Sequence, residues 1–305
     1  MHDLIIVGQG PAGLSAAIYA ARAGLDVLLT GRDRGALEKA DLVENYFGFP
    51  EPIKALDLLQ RGMAQAVRLG VNVIQAEVTG ISWNEHFEVE SNQGTWSAVS
   101  VILASGMPRR KSALAGLSDY EGRGVSYCAV CDGFFYRGKS VAVLGNGEYA
   151  FKEASDLLPF ASSITLLTNG RPYEAGQTHP SIKIMTDKII RLEGDGEKVR
   201  RLVLADDKTL EIDGVFVAEG TASALDLAMK LGLDNDGKAI LVNNLQETNQ
   251  PGLFAAGDCT GGLLQIAVAV GEGAQAGMSA AGYVRRQNGD IEPTSQWGKK
   301  DYHFY

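Results

Sequence analysis

Near the start of the chain, two short apolar runs flank a longer segment of small and apolar residues, with glycine or proline at the boundaries. Short apolar runs at residues 3–7 and 25–29 enclose residues 11–23, which are mostly small and apolar, with Pro11 at the start and Gly24 behind. Apolar runs bounded by glycine are typical of buried parallel strands. Proline in the first turn and glycine after the last are typical of a helix. The pattern therefore predicts a strand–helix–strand unit.

The same order of elements recurs in the middle of the chain. Residues 140–144 predict a strand, residues 147–158 a helix and residues 164–167 a second strand. Two units of this kind predict two similarly built domains in one chain.

The remaining apolar segments predict the rest of the fold. Strands are predicted at 87–90, 99–103, around Ile182, and at 199–204, 214–217 and 254–258, with a loop at 105–111. Residues 262–284 predict a long helix, and Gln265, Glu272 and Gln275 within it favour a buried helix over a membrane span. Residues 287–305 are polar with terminal aromatic residues and predict a tail.

Composition limits the classes of function. The 305 residues, 45% hydrophobic and 21% charged, are enough for about two globular domains. A net charge of −9 argues against nucleic-acid and anionic-membrane binders. Three cysteines are too few for a secreted disulfide framework, and the first residues lack the features of a signal peptide. We therefore expect a cytoplasmic protein.

A glycine motif follows the first predicted strand. Gly8, Gly10 and Gly13 fit G-x-G-x-x-G, with Pro11 and Ala12 opening the helix. Glycines there permit a tight turn and close approach of the backbone to a pyrophosphate, which the helix N-terminus attracts. The motif predicts a dinucleotide site, the alternative being a glycine turn in an unrelated α/β protein.

A second glycine motif follows the strand at 140–144. Gly145, Gly147 and Ala150 fit G-x-G-x-x-A, but Glu148 places a negative charge where phosphates would bind. Residues 167–171 offer no acid for a ribose hydroxyl and only one arginine for a 2′-phosphate. Two interpretations stay open, a nicotinamide site and a related fold that binds no nicotinamide.

A Cys-x-x-Cys sequence lies between the two units. Cys128 and Cys131 are followed by Asp132, and the chain has only Cys259 and four histidines besides. A zinc site needs four ligands, so we expect no metal. Residues at i and i+3 of a helix lie close enough to bridge, which favours a reversible disulfide whose leaving thiolate Asp132 protonates. Two unlinked structural cysteines are the alternative, and Cys259 is expected to be a small buried residue.

Taken together, these segments resemble low-molecular-weight thioredoxin reductases over most of the chain. The matching stretches are 8–13, Thr30-Gly31, the V-E-N-(aromatic)-x-G sequence at 43–48, the redox segment 122–136, the G-D motif at 252–258, and Gln265.

The resemblance implies an α/β fold of two Rossmann-like, three-layer ββα domains, one inserted in the other. It implies an FAD domain from 1–112 and 247–305, an inserted domain from 113–246, and a homodimer. In such an enzyme FAD passes electrons to the disulfide; Cys131 faces the flavin, Cys128 attacks a thioredoxin-like disulfide, and Asp132 is the general acid. The FAD-binding residues that it implies are Gly8, Gly10, Pro11, Ala12, Gly13, Thr30, Gly31, Asn45, Gly257, Asp258 and Gln265.

Departures from the family pattern concern the NADPH site. The H-R-R-x-x-x-R cluster is replaced at 167–172, the G-G-G-x-S/T-A loop at 145–150, and the G-x-x-P-N turn at 219–224. Loss of two guanidiniums, each worth about 1.5–3 kcal/mol at a phosphate, weakens binding by about two to four orders of magnitude. We therefore expect a donor other than NADPH, with ferredoxin as the first candidate, as in the pyridine-nucleotide-independent relatives.

Two further hypotheses concern the donor and the tail. Residues 109–111 and Lys299-Lys300 are basic and are candidates for receiving an acidic ferredoxin, unless they are ordinary solvated runs. Aromatic residues at 297–305 are candidates for covering the flavin, unless the tail is disordered.

Three alternatives for the whole protein stay open. The first is a thioredoxin reductase that binds NAD(P)H at an atypical site. The second exchanges its dithiol with another disulfide protein or with a second flavin in the inserted domain. The third is a flavin-bearing redox sensor.

Overall fold

The computed structural model of the protein describes residues 1–107, 112, 114–205 and 208–290. The basic runs at 109–111 and 299–300 and the aromatic segment 297–305 lie outside the described residues. The hypotheses about ferredoxin contacts and flavin shielding at those residues therefore stay predictions.

The elements follow one another as a mixture of strands and helices. The strands are β1 His2–Val7, β2 Val27–Gly31, β3 Leu42–Val43, β4 Ile53–Lys54, β5 Asn72–Gln75, β6 Val78–Asn84, β7 His86–Ser91, β8 Gly94–Leu103, β9 Val125–Ser126, β10 Ser140–Leu144, β11 Ser163–Leu167, β12 Ile182–Met185, β13 Ile189–Gly194, β14 Val199–Leu204, β15 Thr209–Glu211, β16 Gly214–Val217 and β17 Leu253–Ala255. The helices are α1 Pro11–Arg22, α2 Ala55–Arg68, α3 Ala129–Asp132, α4 Glu148–Asp156, α5 Ala224–Lys230 and α6 Ile266–Asn288.

The first compact unit comprises Met1–Pro108 and Ser223–Tyr305. Its sheet has the order β5-β2-β1-β8-β7-β6, with β17 paired to β8. Strands β5, β2, β1, β8 and β17 are parallel, whereas β6, β7 and β8 form an antiparallel meander. Helices α1 and α6 pack on the apolar strands, and this core contains Leu4, Ile6, Leu29, Ile102 and Phe254.

Helices α1 and α6 approach closely because glycines line their contact. A Cβ added at Gly273 would lie 2.1 Å from the carbonyl oxygen of Ala12, and one at Gly277 would lie 2.5 Å from that of Ala16. Such distances leave no space for a side chain, so the glycines of the long apolar segment fix how near α6 lies to the first glycine motif.

The second compact unit comprises Arg109–Ala222. Its parallel sheet has the order β12-β11-β10-β16-β9, and β13, β14 and β15 form a separate antiparallel sheet. The buried face of the parallel sheet includes Ala142, Leu144, Leu167 and Val215. Both strand–helix–strand units predicted from the hydrophobic pattern are present, and the predicted α/β class with Rossmann-like parallel sheets is confirmed.

The division of the chain differs from the expected one at its second boundary. Residues 223–246 group with the first unit rather than with residues 113–222. The backbone explains this grouping, because Ile240 N–H donates to the carbonyl of Cys259 and Asp234 N–H to the side chain of Asn249.

Two predicted element bounds shift. The long helix begins at Ile266 rather than 262, because Gly261 and Gly262 adopt positive φ angles of 81° and 76°. It continues to Asn288 and ends at Gly289, so residues 287 and 288 belong to α6 and not to the tail. Among the described helices, none combines the length and apolarity that a bilayer crossing requires.

Candidate functional sites

The first glycine motif forms a tight turn at the carboxyl end of β1. Gly8 has φ 125°, and a Cβ there would lie 2.2 Å from the carbonyl oxygen of Ala104. A Cβ at Gly13 would lie 1.8 Å from the carbonyl oxygen of Gly8. Both positions therefore require glycine, and β1 leads through this turn directly into α1.

The N-terminus of α1 is open to an anionic ligand. In the described part of the chain outside its own turn, the atom nearest to a Cβ built at Gly10 is the carbonyl oxygen of Arg34, at 3.9 Å. Among the described residues, no side chain caps α1 at Gly10, and the first turn contains no acid. Uncapped amides and the positive end of the helix dipole suit a pyrophosphate.

Thr30 and Gly31 adjoin this turn, as the resemblance implies. Gly8 N–H donates to the carbonyl of Thr30 at 2.7 Å, and a Cβ at Gly31 would lie 3.2 Å from the backbone nitrogen of Gln9. The Thr30 hydroxyl is fully buried and has no hydrogen-bond partner within the described part of the chain. A buried hydroxyl without a partner is costly, so a bound molecule is the natural source of one.

The G-D motif lies against the same helix. Gly257 has φ 81°, and a Cβ there would lie 2.7 Å from that of Ala12. The backbone amide of Gly257 and the hydroxyl of Thr260 both donate to Oε2 of Glu272, at 2.8 and 3.0 Å. Burial raises the pKa of Asp258.

Glu272 is a residue that sequence reasoning missed as part of a site. The sequence did contain an indication of its role, because Glu272 is a charged residue within the apolar pattern of the long helix. The carboxylate fixes the turn that presents Asp258.

Asn45 and Gln265 form a second pair in this unit. The side-chain amide of Asn45 donates to Oε1 of Gln265 at 2.9 Å, although the two residues lie 220 positions apart. Gln265 is also the N-cap residue of α6. The structure thus joins the residues named by the resemblance into two contacting groups, one around α1 and one at the start of α6.

The Cys-x-x-Cys sequence of the second unit forms a disulfide. Cys128 and Cys131 are bonded, with their Cα atoms 5.3 Å apart, so the alternative of two unlinked cysteines is wrong. Cys128 is buried and caps α3, accepting the Cys131 N–H at 3.1 Å, whereas Cys131 is exposed. Within the described residues no cluster suited to a metal ion is present.

Cys259 is the buried residue that composition suggested. It is 1% exposed, and its thiol contacts the carbonyl oxygens of Leu103 and Ala256 at 3.4 and 3.3 Å. Burial raises the pKa of its thiol to about 12. This thiol is therefore unreactive near neutrality.

Ser126 connects the disulfide turn to the predicted acid. Its hydroxyl donates to Oδ2 of Asp132 at 2.7 Å and accepts the backbone N–H of Cys128 at 3.1 Å. The neighbouring Tyr127 donates to Glu121 at 2.6 Å, and burial, with Glu121 second, raises the pKa of Tyr127. Asp132 is thus held in one orientation beside the disulfide.

Glu153 of α4 lies beneath the same turn. It is 1% exposed, and its Oε2 accepts the backbone N–H of Ala129, the residue after Cys128, at 2.7 Å. No sequence pattern predicts this contact, because Glu153 is one of several polar residues in α4.

Exposed apolar side chains lie close to the disulfide in the sequence of this unit. Val130, Phe134 and Phe135 are 55%, 62% and 67% exposed. The guanidinium carbon of Arg137 lies over the ring of Phe134, 5.2 Å from its centroid. Exposed aromatics at this density mark an interaction surface.

The second glycine motif is covered by the chain itself. Asn146 accepts the backbone N–H of Glu174 at 2.7 Å through its carbonyl, and its side-chain amide donates to the carbonyl of Pro172 at 3.1 Å. Glu148, in the first turn of α4, accepts the N–H of Gly176 at 2.7 Å. Residues 171–177, which we call the covering loop, therefore bind at the turn where a nucleotide pyrophosphate would lie.

The one arginine near this motif is also engaged. Arg171 forms an ion pair with Glu219 at 2.8 Å. Tyr173 donates to the carbonyl of Gln177 at 2.6 Å, and burial, with Glu148 second, raises its pKa to about 12. The covering loop is thus held by its own contacts as well as by α4.

Comparison with known proteins agrees with this architecture. The family model described as pyridine nucleotide-disulphide oxidoreductase matches residues 2–273. A thioredoxin reductase of Listeria monocytogenes is 32% identical over 309 residues, covering 96% of this chain and 97% of the relative.

Solved structures include two similar proteins of special interest. The atypical thioredoxin reductase TRi from Desulfovibrio vulgaris Hildenborough has a TM-score of 0.88 at 40% identity, covering 94% of this chain and 99% of that one. A ferredoxin-flavin thioredoxin reductase from Clostridium acetobutylicum has a TM-score of 0.66 at 34% identity, covering 95% and 99%.

These families are FAD-dependent flavoproteins, and FAD is the cofactor of this chain. The residues of the first unit fit it, since the α1 turn has an open, uncapped N-terminus and the buried Thr30 hydroxyl lacks a partner among the described residues. At the α4 turn Gly147 is likewise not capped by a described side chain, but Glu148 places a carboxylate in the first turn, and the amides of Glu174 and Gly176 in the covering loop donate to the Asn146 carbonyl and to Glu148.

Proposed function

Because this chain belongs to the pyridine nucleotide-disulphide oxidoreductases and is a flavoenzyme of the thioredoxin reductase type, we propose that it reduces a thioredoxin-like disulfide with electrons from a ferredoxin rather than from NADPH. The alternatives are an NAD(P)H-dependent enzyme with an atypical nucleotide site and a flavin-bearing redox sensor.

The first unit holds the cofactor in this proposal. The turn from Gly8 to Gly13 and the N-terminus of α1 receive the pyrophosphate, with Thr30, Gly31, Gly257 and Asp258 around it. Asn45 and Gln265 fix the start of α6. FAD, when bound, accepts electrons one at a time and releases them in pairs, which suits a one-electron donor and a disulfide acceptor.

The second unit carries the thiol chemistry. Once Cys128 and Cys131 are reduced, the Cys128 thiolate attacks one sulfur of the acceptor disulfide and forms a mixed disulfide. The sulfur that leaves takes a proton from Asp132. Cys131 then attacks Cys128, which releases the second acceptor thiol and restores the Cys128–Cys131 bond. Because Cys128 is buried in the present structure, this order requires the turn to expose it during the cycle.

A protein acceptor is supported by the surface around the disulfide. Val130, Phe134 and Phe135 are more than half exposed within seven residues of Cys128. Aromatic side chains beside a redox centre suit a protein partner, since apolar and aromatic residues are the usual anchors of interfaces.

The covering loop is the observation that carries the donor proposal. A nucleotide at the α4 turn would have to displace the amides of Glu174 and Gly176 from Asn146 and Glu148. It would then meet the Glu148 carboxylate, while Arg171 stays paired with Glu219. Each lost hydrogen bond costs about 1 kcal/mol, and the carboxylate adds repulsion toward phosphate.

Ferredoxin as the donor is supported by the relatives. One similar structure is a ferredoxin-flavin thioredoxin reductase, and another is described as atypical among thioredoxin reductases. The proposal also includes a homodimer and a cytoplasmic location. The location is supported by the small number of cysteines.

Coupled turnover tests this function. The FAD-loaded protein is mixed anaerobically with oxidised thioredoxin and either photoreduced ferredoxin or NADPH, and thioredoxin thiols are counted by alkylation and mass shift. The proposal predicts thiol formation with ferredoxin, none above background with NADPH, and none with Cys128→Ser. Equal or faster turnover with NADPH would replace it by the nucleotide-dependent alternative.

A further inference from the structure

The turn of the G-D motif is fixed from two sides. On one side the Cys259 thiol contacts the carbonyl oxygen of Leu103, at the end of β8, at 3.4 Å. On the other side Oε2 of Glu272 in α6 accepts the backbone N–H of Gly257 at 2.8 Å and the hydroxyl of Thr260 at 3.0 Å. Two donors on one oxygen thus tie both ends of the turn to a single side chain of α6.

Asp258 lies between these two contacts. Its carboxyl is partly buried, and among its described surroundings burial alone raises its pKa. No hydrogen bond from a described residue therefore reaches it, and a partly buried carboxyl of this kind is available to a bound molecule. Because no described hydrogen bond fixes the side chain itself, the direction of this carboxyl depends on the backbone of the turn.

The same turn lies against the first glycine motif. A Cβ at Gly257 would lie 2.7 Å from that of Ala12, in the first turn of α1. A Cβ at Gly273, the residue after Glu272, would lie 2.1 Å from the Ala12 carbonyl oxygen. Glu272 therefore lies where α6, the G-D turn and the N-terminus of α1 meet. Loss of its contact would let the turn shift relative to the open amides of α1.

We propose that Glu272 is a positioning residue for FAD, which holds the turn from Gly257 to Thr260 through one acceptor oxygen so that Asp258 meets the cofactor without rearrangement. Ordering a turn during binding costs free energy, and a turn that is ordered beforehand avoids that cost. The affinity for FAD therefore depends on Glu272, although this side chain is not itself among the residues assigned to the cofactor. The inference rests on the proposed function only in placing FAD beside this turn.

The test measures release of FAD from the purified flavin-loaded protein. Wild type, Glu272→Met and Glu272→Gln are diluted stepwise, and free FAD is separated by ultrafiltration and measured by its fluorescence. Methionine fills a similar volume without an acceptor oxygen, whereas glutamine keeps an oxygen for the Gly257 N–H. We expect the Kd for FAD to be about tenfold higher in E272M and within about threefold of wild type in E272Q.

A second variant removes one of the two donors. Thr260→Val keeps nearly the same shape, and its Kd for FAD should rise about threefold in the wild-type background. The rise should be smaller in E272M, because residues that share a contact are not additive. What remains there comes from the contact of the Thr260 hydroxyl with the Gly257 carbonyl at 2.8 Å. If E272M does not fold, unchanged FAD binding by T260V overturns the proposal on its own.

Gln275→Met is the matched control. It introduces the same side chain about one turn further along α6, and the amide that it removes contacts Ser279 of the same helix at 3.1 Å. Its Kd for FAD should stay within about twofold of the wild-type value.

Unfolding in urea separates a positioning role from a structural one. A side chain that only supports α6 would lower the urea midpoint of E272M and leave the Kd of the folded protein unchanged, which would overturn the proposal. Equal weakening of FAD binding in E272M and E272Q would also overturn it, since the acceptor oxygen would then not be the cause. No electron donor or acceptor enters the measurement. Failure of the ferredoxin proposal would therefore leave this result standing, and the reverse is also true.

Discussion

The backbone amide of Gly176 donates to Oε1 of Glu148 at 2.7 Å. This contact places the covering loop over the N-terminus of α4, where the related turn of α1 is open. The chain thus contains two strand–turn–helix motifs of the same kind, and at the second one the described hydrogen bonds join residues 171–177 to the turn.

Removing the Glu148 carboxylate should loosen the covering loop. In Glu148→Ala the Gly176 amide loses its acceptor and α4 loses a favourable charge at its positive end, together about 1–2 kcal/mol. Hydrogen exchange in peptides spanning 171–177 should accelerate about tenfold. Glu174→Ala is the matched control, because it removes the same charge from an exposed side chain. The contact of residue 174 with Asn146 is made by its backbone N–H and is therefore kept. Equal exchange in the two variants would show that the contact does not hold the loop.

Two glycines of α6 should respond in opposite ways to alanine. Gly273→Ala places a methyl group 2.1 Å from the Ala12 carbonyl, which pushes α6 from α1 and from the cofactor turn. We expect lower thermal stability and loss of most flavin absorbance at 450 nm in the purified protein.

Gly271→Ala is the control for that substitution. A Cβ there meets nothing among the described atoms within 4 Å, so helix propensity should stabilise the protein by up to about 1 kcal/mol. Full flavin content in G273A would contradict the packing described for these helices.

Single cysteine variants should identify the sulfur that attacks the acceptor. If Cys128 is the nucleophile, reduced Cys131→Ser should accumulate a mixed disulfide with thioredoxin, because no second thiol resolves it. Cys128→Ser should accumulate none. The measurement is non-reducing electrophoresis followed by peptide mapping, and a stable adduct through Cys131 would reverse the assigned roles.

Cys259 should resist alkylation in the folded protein. Burial raises its thiol pKa to about 12, so at pH 8 the reactive thiolate is nearly absent. After reduction at pH 8, iodoacetamide should modify the Cys128–Cys131 pair and reach Cys259 only in denaturant. The protection should weaken as the pH rises toward 12. Rapid native labelling of Cys259 at pH 8 would show that its surroundings are more open than described.

Most of the elements and site residues that could be predicted from the sequence belong to short contiguous motifs. Gly8 to Gly13 and Cys128 to Cys131 are contiguous motifs whose chemistry follows from spacing, and the structure places both as expected. The Asn45–Gln265 contact joins residues 220 positions apart, so only the family resemblance could connect them.

Contacts made by single polar residues within helices escaped prediction. Glu153 and Glu272 act through backbone amides of distant turns, and neither belongs to a recurring sequence pattern. Residues 167–172 lack the acid and the paired arginines that a nicotinamide nucleotide site needs, and the Glu148 carboxylate would repel a phosphate; both features could be seen in the sequence. That residues 171–177 cover the motif depends on loop hydrogen bonds, which no periodicity encodes.

Anaerobic reduction of the bound flavin tests the central claim most directly. Excess NADPH, then NADH, then photoreduced ferredoxin is added, and bleaching of the flavin absorbance is followed in time. The account predicts no bleaching by either nucleotide and rapid bleaching by ferredoxin. Rapid bleaching by NADPH would contradict it, since a nucleotide would then reach the flavin despite the covering loop.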